Sequence, residues 1–357
     1  MAEAAGPLVR RRRRQLAWLG LAALVSVLLA ILSLRAQEQE LVPKYMPETF
    51  LPGFAAKLGL SWDIRISSRN GSFDVRRMQD RWVLPGRGNY PAALDLVQKT
   101  LVGLAALETI EPKTDQPSLY RYLDLDGPPR GAGIVIEVAD GKGHLLAGIV
   151  AGKTADIGDP GGNVGLYVRR LGDRQSWLVR SVFQPARTIG EWTDKTVVNI
   201  DRARIREEDV TPQGTPAYVL KRDTPSDPDF KPSILSKGRE LANESAADAV
   251  ASFLSDFTFD DVRAAKTMDF SNALPQRTLT FDGLVVTTRV TRQGPQTWLE
   301  FSADADPRKP DAQKEASEIN AHAAGWAYML SPSKAQEIAP SLESLLKPPE
   351  QPAKTAQ

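Results

Sequence analysis

Beyond residue 60, apolar and polar positions follow one of two rhythms, a period of two or a helical stripe. Strands are predicted at 62–67, 73–77 and 81–84. Asn70-Gly71 forms the turn between the first two, since both residues tolerate positive φ. Pro91 then opens a predicted helix as its first residue, with Leu94, Val97, Leu101 and Leu104 on one face. After a Pro-rich loop come strands at 133–139, 144–150, 165–170 and 177–183, with turns at 140–143 and 171–174. The remainder runs in the same order. Strands at 197–205 and 217–222 lead through a loop to a helix. There Ser245 and Asp248 resemble a capping box, and Val250, Phe253, Leu254 and Phe257 form the stripe. Strands follow at 277–281, 284–291, 297–302 and 326–330. Two copies of one unit are therefore expected, 61–195 and 196–346, packed about a pseudo-two-fold axis. The polar stretch 303–325 is expected as an insert in the second copy, forming a solvated surface helix.

A different pattern governs the start. From Leu16 to Leu34 the chain is apolar and uncharged for 19 residues, long enough at about 1.5 Å per residue to cross a hydrocarbon layer of about 30 Å. Arg10, Arg11, Arg12, Arg13 and Arg14 precede it, which places the N-terminus (1–15) in the cytoplasm by the positive-inside rule. Trp18 stands near that boundary, where an amphipathic ring is favoured. A cleavable signal would have a shorter apolar region and small residues at its end, but Leu34-Arg35-Ala36 follows here. Residues 36–60 read as a Pro-rich juxtamembrane linker and 347–357 as a disordered tail. The expected fold is α+β: an N-terminal transmembrane helix, then two similar, mainly antiparallel sheet-plus-helix halves.

Charge sharpens this topology. The net charge is +1, yet the first 35 residues hold six Arg and one Glu. Removing them from 45 basic and 44 acidic residues leaves 39 against 43, so the body is mildly acidic. That is a poor surface for nucleic acid, which must have its phosphates neutralised. The chain has no Cys and two His, so disulfides, thiolate metal sites and Cys nucleophiles are excluded and a His-based triad has little material. The segment 147–154 (AGIVAGKT) misses the phosphate-binding spacing G-x(4)-G-K-[ST] by one residue and reads as a strand leaving its sheet through a Gly turn. No nucleotide is expected. Asp124 and Asp126 resemble the start of a calcium loop, but its twelfth position is Val135. Asp256, Asp260 and Asp261 read as solvated carboxylates, and His144 as a polar residue of an edge strand. Trp62, Trp82, Trp177, Trp298 and Trp326 fall in or beside strands and read as core. No catalytic, cofactor or metal residue is selected.

Several of these pieces together resemble one bacterial family. They are the anchor, Trp82-x-Leu84 followed by Tyr90-Pro91-Ala92 with Val97, Leu101 and Leu104, the run 166–169 (LYVR), and Glu191-Trp192-x-Asp194-Lys195. This pattern resembles the family called domain of unknown function 4340, and nearly the whole chain takes part. The resemblance implies a membrane-tethered envelope protein whose partners are ABC-type transport components, with no established activity and no catalytic residues to carry over. The expected function is accordingly that of an inner-membrane accessory or scaffold subunit with a periplasmic body. The alternative is a tethered enzyme or binding module acting on envelope glycan or lipid.

Overall fold

The computed structural model describes residues 47–348, with residues 18, 25–27 and 29 of the apolar run. Arg10–Arg14, Leu16, Leu34 and most of the predicted span lie outside the described residues, as do 349–357. Among the described residues no helix is long and apolar enough to cross a membrane.

Two antiparallel sheets make up the body. The first contains β1 (Asp63–Ser68), β2 (Gly71–Met78), β3 (Arg81–Leu84), β4 (Tyr90–Pro91), β5 (Glu108–Pro112), β6 (Ile134–Ala139), β7 (Leu145–Ala155), β8 (Val164–Arg170) and β9 (Ser176–Ser181). Its order is β4-β3-β2-β1-β6-β7-β8-β9-β5. The second contains β10 (Ile205–Val210), β11 (Tyr218–Lys221), β12 (Lys231–Pro232), β13 (Asp261–Ala264), β14 (Leu274–Thr280), β15 (Leu284–Gln293), β16 (Gln296–Ala305) and β17 (Trp326–Met329). Its order is β12-β11-β10-β14-β15-β16-β17-β13. In both, a meander turns back on its first strand, a second meander continues from there, and the strand that follows the helix closes the far edge. Apart from β4, the two orders coincide.

Helix α1 (Leu94–Ala105) lies on the first sheet. Val97, Leu101 and Leu104 are buried with Ile64, Ile136 and Val168, each removal from water worth about 1.5–3 kcal/mol. Leu94, expected on the same stripe, is 55% exposed, because the helix begins there rather than at Pro91. Pro91 instead pairs with Val83 at the sheet edge, where a missing N–H is tolerated. In the second half the helix is one turn, α2 (Asp248–Ala251), followed by a 3-10 turn over Phe253–Asp256. The predicted stripe holds: Val250, Phe253, Leu254 and Phe257 are all buried. The capping box does not form, since Ser245 Oγ bonds Asn243 and Asp248 takes the Phe230 N–H and Arg202.

Other expectations need correction. Of the strand expected over 197–205 only Ile205, the first residue of β10, is in one; Val197, Val198 and Ile200 are buried in an irregular connection, with Ile200 N–H donating to Leu254 O. The described part of the linker is docked, not free: Phe50 and Phe54 are core residues, and Thr49 bridges to Glu108. Lys347, assigned to the tail, is held by Glu240 through both backbone and side chain. The helix within 303–325, α3 (Pro310–Ala323), is not solvated all round. Ala312, Ala316, Ile319 and Ala323 bury one face in the second core, and Asn320 closes on both the N–H and C=O of Ala303 at 2.8 Å. A short α4 (Pro332–Glu337) follows, capped by Ser331.

Candidate functional site at the seam of the two sheets

The residues of the family-like pattern converge where the two sheets meet. Trp82 packs beside the first core and Leu84 within it, and a turn with Gly88 at φ +70° carries the chain to Tyr90. The positive φ at Gly88 disfavours any side chain, so glycine suits the turn, and a Cβ there would only reach ordinary contact with the Trp326 ring at 3.5 Å. Tyr90 leaves its own sheet and enters the second core. Its ring stands edge-on to Trp326 at 5.0 Å and to Phe259 and Tyr328 at 6.2 Å. Its hydroxyl donates to Asp194 O at 2.9 Å.

The segment 191–195 binds the seam from the other side. Trp192 is buried in the first core, edge-on to Phe73 at 6.4 Å. Its backbone oxygen accepts from Ala93 N–H, and Asp194 N–H donates to Pro91 O. Against the effect of burial, the Thr188 hydroxyl and N–H and the Arg187 N–H hold the Glu191 carboxyl below its usual value. Lys195 crosses over: its Nζ donates to Phe259 O at 2.6 Å and sits 3.9 Å from the centre of that ring. Burial pulls the ammonium down while Asp260 and Asp261 oppose the shift. Arg87 Nε meets Asp261 Oδ1 at 2.5 Å, with side chains 27% and 15% exposed. Asp261 is thus half-buried and paired, not solvated as expected.

Chemically the seam is a joint. Burial pushes the phenols of Tyr90 and Tyr328 up, so both stay neutral. Lys195 and Arg87 are engaged across the interface, which leaves neither as a free nucleophile or base. Sequence reading found Tyr90 and the 191–195 run but gave no reason to join them to Arg87, Phe259 or Tyr328, which lie far along the chain.

The other candidates resolve locally. β7 runs through 147–154 with a bulge near Ala151, and a side chain at Gly152 would strike Leu123 O at 2.0 Å. The segment is a packed strand rather than a phosphate loop or a Gly turn. His144 sits in the turn before β7, with Nδ1 3.0 Å from Asp140 Oδ2. The His144 and Lys142 N–H groups also donate to Asp140, whose carboxyl lies at about 2. Among the described residues no group of three or more His, Cys, Asp or Glu converges as a metal site. Trp298 is fully buried, whereas Trp62 is 39% exposed. Trp18, of the predicted anchor, is helical and 71% exposed. A cavity of about 140 Å³ opens at one end of the second sheet among Thr211, Gln276, Val290, Arg292, Thr297 and Ile338. A shallow groove of about 760 Å³ lies along 228–244.

Two buried polar groups stand apart from the seam. Glu208 on β10 is 4% exposed, and its Oε2 accepts from Thr278 Oγ1 at 2.6 Å. Burial pushes its carboxyl up to about 8, the Thr278 bond opposing and Asp209 assisting. Gln276, nearby on β14, satisfies both the N–H and C=O of Thr211.

No curated protein matches this chain, and no solved structure does. A family model does match, over residues 82–275, from the second residue of β3 to the start of β14, which takes in Arg87, Tyr90, 191–195, Phe259 and Asp261 of the seam but not Trp326 or Tyr328. With more than half of its length covered, and with the pattern residues placed at one joint, the chain belongs to the family described as Domain of unknown function (DUF4340).

Proposed function

We propose that this protein is a membrane-anchored accessory or scaffold subunit: N-terminus cytoplasmic, one span over 16–34, and a periplasmic body that binds a membrane partner. The observation that carries the reading is the use made of the family-pattern residues. Tyr90, Trp192, Asp194 and Lys195 lock two sheets together and present no reactive group. A rigid body on an apolar helix is what a scaffold requires. Trp18, Val25, Val27 and Leu29 support the anchor, since all are helical with exposed side chains that a bilayer would cover. An ABC-type transport complex is the partner that the family resemblance implies. We infer also that 61–195 and 196–346 descend from one duplicated unit. The coincident strand orders support this, as do the aromatic segments that cover the outer face of each sheet between equivalent strands, at Tyr120 and Phe270.

A reporter active only outside the cytoplasm tests the topology. Fused after Gln357 it should be active, and fused at the N-terminus silent; the reverse pattern would overturn the orientation. Purification of tagged full-length protein from detergent-solubilised membranes should co-isolate an integral membrane transporter component in fixed stoichiometry. Recovery of the chain alone from several detergents would count against a stable complex.

A further inference from the structure

One end of the first sheet carries a rim of apolar side chains with no partner. Leu60, Trp62, Met78, Leu145 and Leu171 are each 38–56% exposed. The pairing register places them together: β1 begins where β2 and β6 end, β6 returns as β7, and Leu171 N–H donates to Gly148 O. Contacts make the rim continuous. A side chain at Gly141 would touch the Trp62 ring at 3.4 Å, and one at Gly148 would touch Leu171 at 3.1 Å and Leu145 at 3.4 Å. The opposite end differs. There the 69–72 turn is polar, and the connection after β7 carries Asp156 and Asp159.

Cations surround this rim. Lys57, Arg81, Lys142 and Arg174 are exposed beside it, and the Arg77 guanidinium lies 5.6 Å from the Trp62 ring centre. The acids among them are Asp63, Asp80, Asp140 and Asp173; Asp63 pairs with Arg76 at 2.9 Å and Asp80 lies 3.8 Å from Arg77. Asp173 lies 3.7 Å from Arg170, and Asp140 is taken up by its own turn. A local basic excess on a body that is acidic overall, set around Trp and Leu, matches an anionic lipid surface: headgroups meet the cations and the acyl boundary takes the apolar tips. Chain length permits the contact. Twelve residues separate Leu34 from Pro47, a reach of roughly 40 Å at most, so the first sheet cannot stray far from the bilayer.

We propose that this rim is a lipid-surface site, resting on anionic headgroups of the leaflet on the body's side of the membrane. It rests on the anchor reading above and goes beyond it, because it fixes which end of the body faces the bilayer. A tethered body held this way presents the polar end of the first sheet, with the 69–72 turn, away from the membrane.

The chain has no cysteine, so single cysteines can be introduced without background. Full-length variants Leu145→Cys, Leu171→Cys, Ser72→Cys and Val27→Cys would each be labelled with an environment-sensitive fluorophore. Each is then reconstituted into vesicles of phosphatidylethanolamine and phosphatidylglycerol carrying brominated acyl chains. Leu145 and Leu171 labels should be quenched at least threefold more than the Ser72 label, and that excess should fall at least twofold in phosphatidylcholine. If Val27 is quenched while the rim labels match Ser72, the lipid-surface site is refuted and the anchor stands. If Val27 is unquenched while the rim labels are quenched, the anchor reading fails and the surface site stands. Rim labels that respond to protein concentration rather than to brominated lipid would assign the rim to a second copy and overturn the proposal.

Discussion

Replacing Glu208 by Gln should make the protein more stable above neutral pH and leave it little changed in acid. Glu208 occupies a row across the second sheet with Leu220, Thr278 and Val286 as cross-strand neighbours, all facing the core. On this face burial pushes the Tyr218 phenol up as well, with the Glu208 charge adding to that shift. With its carboxyl near 8 in the fold and an ordinary value of 4.5 when unfolded, Glu208 takes up a proton on folding at any pH between the two. A raised folded value means that the favourable contribution is full below about 4.5 and lost as pH rises through 8. Each pH unit is about 1.4 kcal/mol, so the span from 4.5 to 8 corresponds to roughly 5 kcal/mol. Full burial means that solvent does not screen this interaction. A Gln carbonyl still accepts the Thr278 hydroxyl and carries no charge to desolvate. Glu208→Gln should therefore match the wild type within about 1 kcal/mol at pH 4.5 and exceed it by about 2–4 kcal/mol at pH 7.5. Urea unfolding of the full-length protein in detergent, followed by tryptophan fluorescence from pH 4.5 to 9, measures the gap. Parallel stability curves for the two proteins would show that Glu208 is charged or hydrated in the fold, and the reasoning would fail.

Three further substitutions probe the packing. Gly103→Ala should cost about 1–3 kcal/mol in urea unfolding, because its Cβ would lie 2.2 Å from the Phe183 ring in a helix where Ala is otherwise favourable; a stabilised variant would mean that α1 is not seated there. Ile319→Ala should cost about 2–5 kcal/mol, since α3 is part of the second core, whereas a loss below 0.5 kcal/mol would restore the solvated helix. A double-mutant cycle on Arg87→Ala and Asp261→Ala should give a coupling of roughly 1 kcal/mol that weakens with salt, the pair being largely but not wholly buried. Zero coupling would separate the seam from stability.

The strands that the sequence made legible are those with two neighbours and one fully buried face, such as β6, where Ile134, Ile136 and Val138 alternate with half-buried positions. β5 and β13 escaped notice for a shared reason. Each is a short strand at the edge of its sheet, with β5 flanked beyond β9 only by the bridge from Thr49, and the sequences ETIEP and DVRA need no apolar alternation there. Residues 197–205 show the converse error: Val197, Val198 and Ile200 are apolar because a connection crosses the core, a burial that gives no ladder partners. In α3 the inward face is mostly alanine, so its stripe carries little hydrophobic contrast against Lys314, Glu315 and Glu318. Small side chains nonetheless let the helix approach β16 closely enough for Asn320 to bond the Ala303 backbone at both its donor and its acceptor. A stripe of alanines beside one amide is thus a packing signal that composition hides. The seam was half legible for a different reason. Tyr90-Pro91-Ala92 and 191–195 stand out as patterns, but Arg87 and Asp261 are 174 positions apart. No local rhythm reports that pairing; only the packing of the two sheets brings β13 beside the turn that holds Arg87.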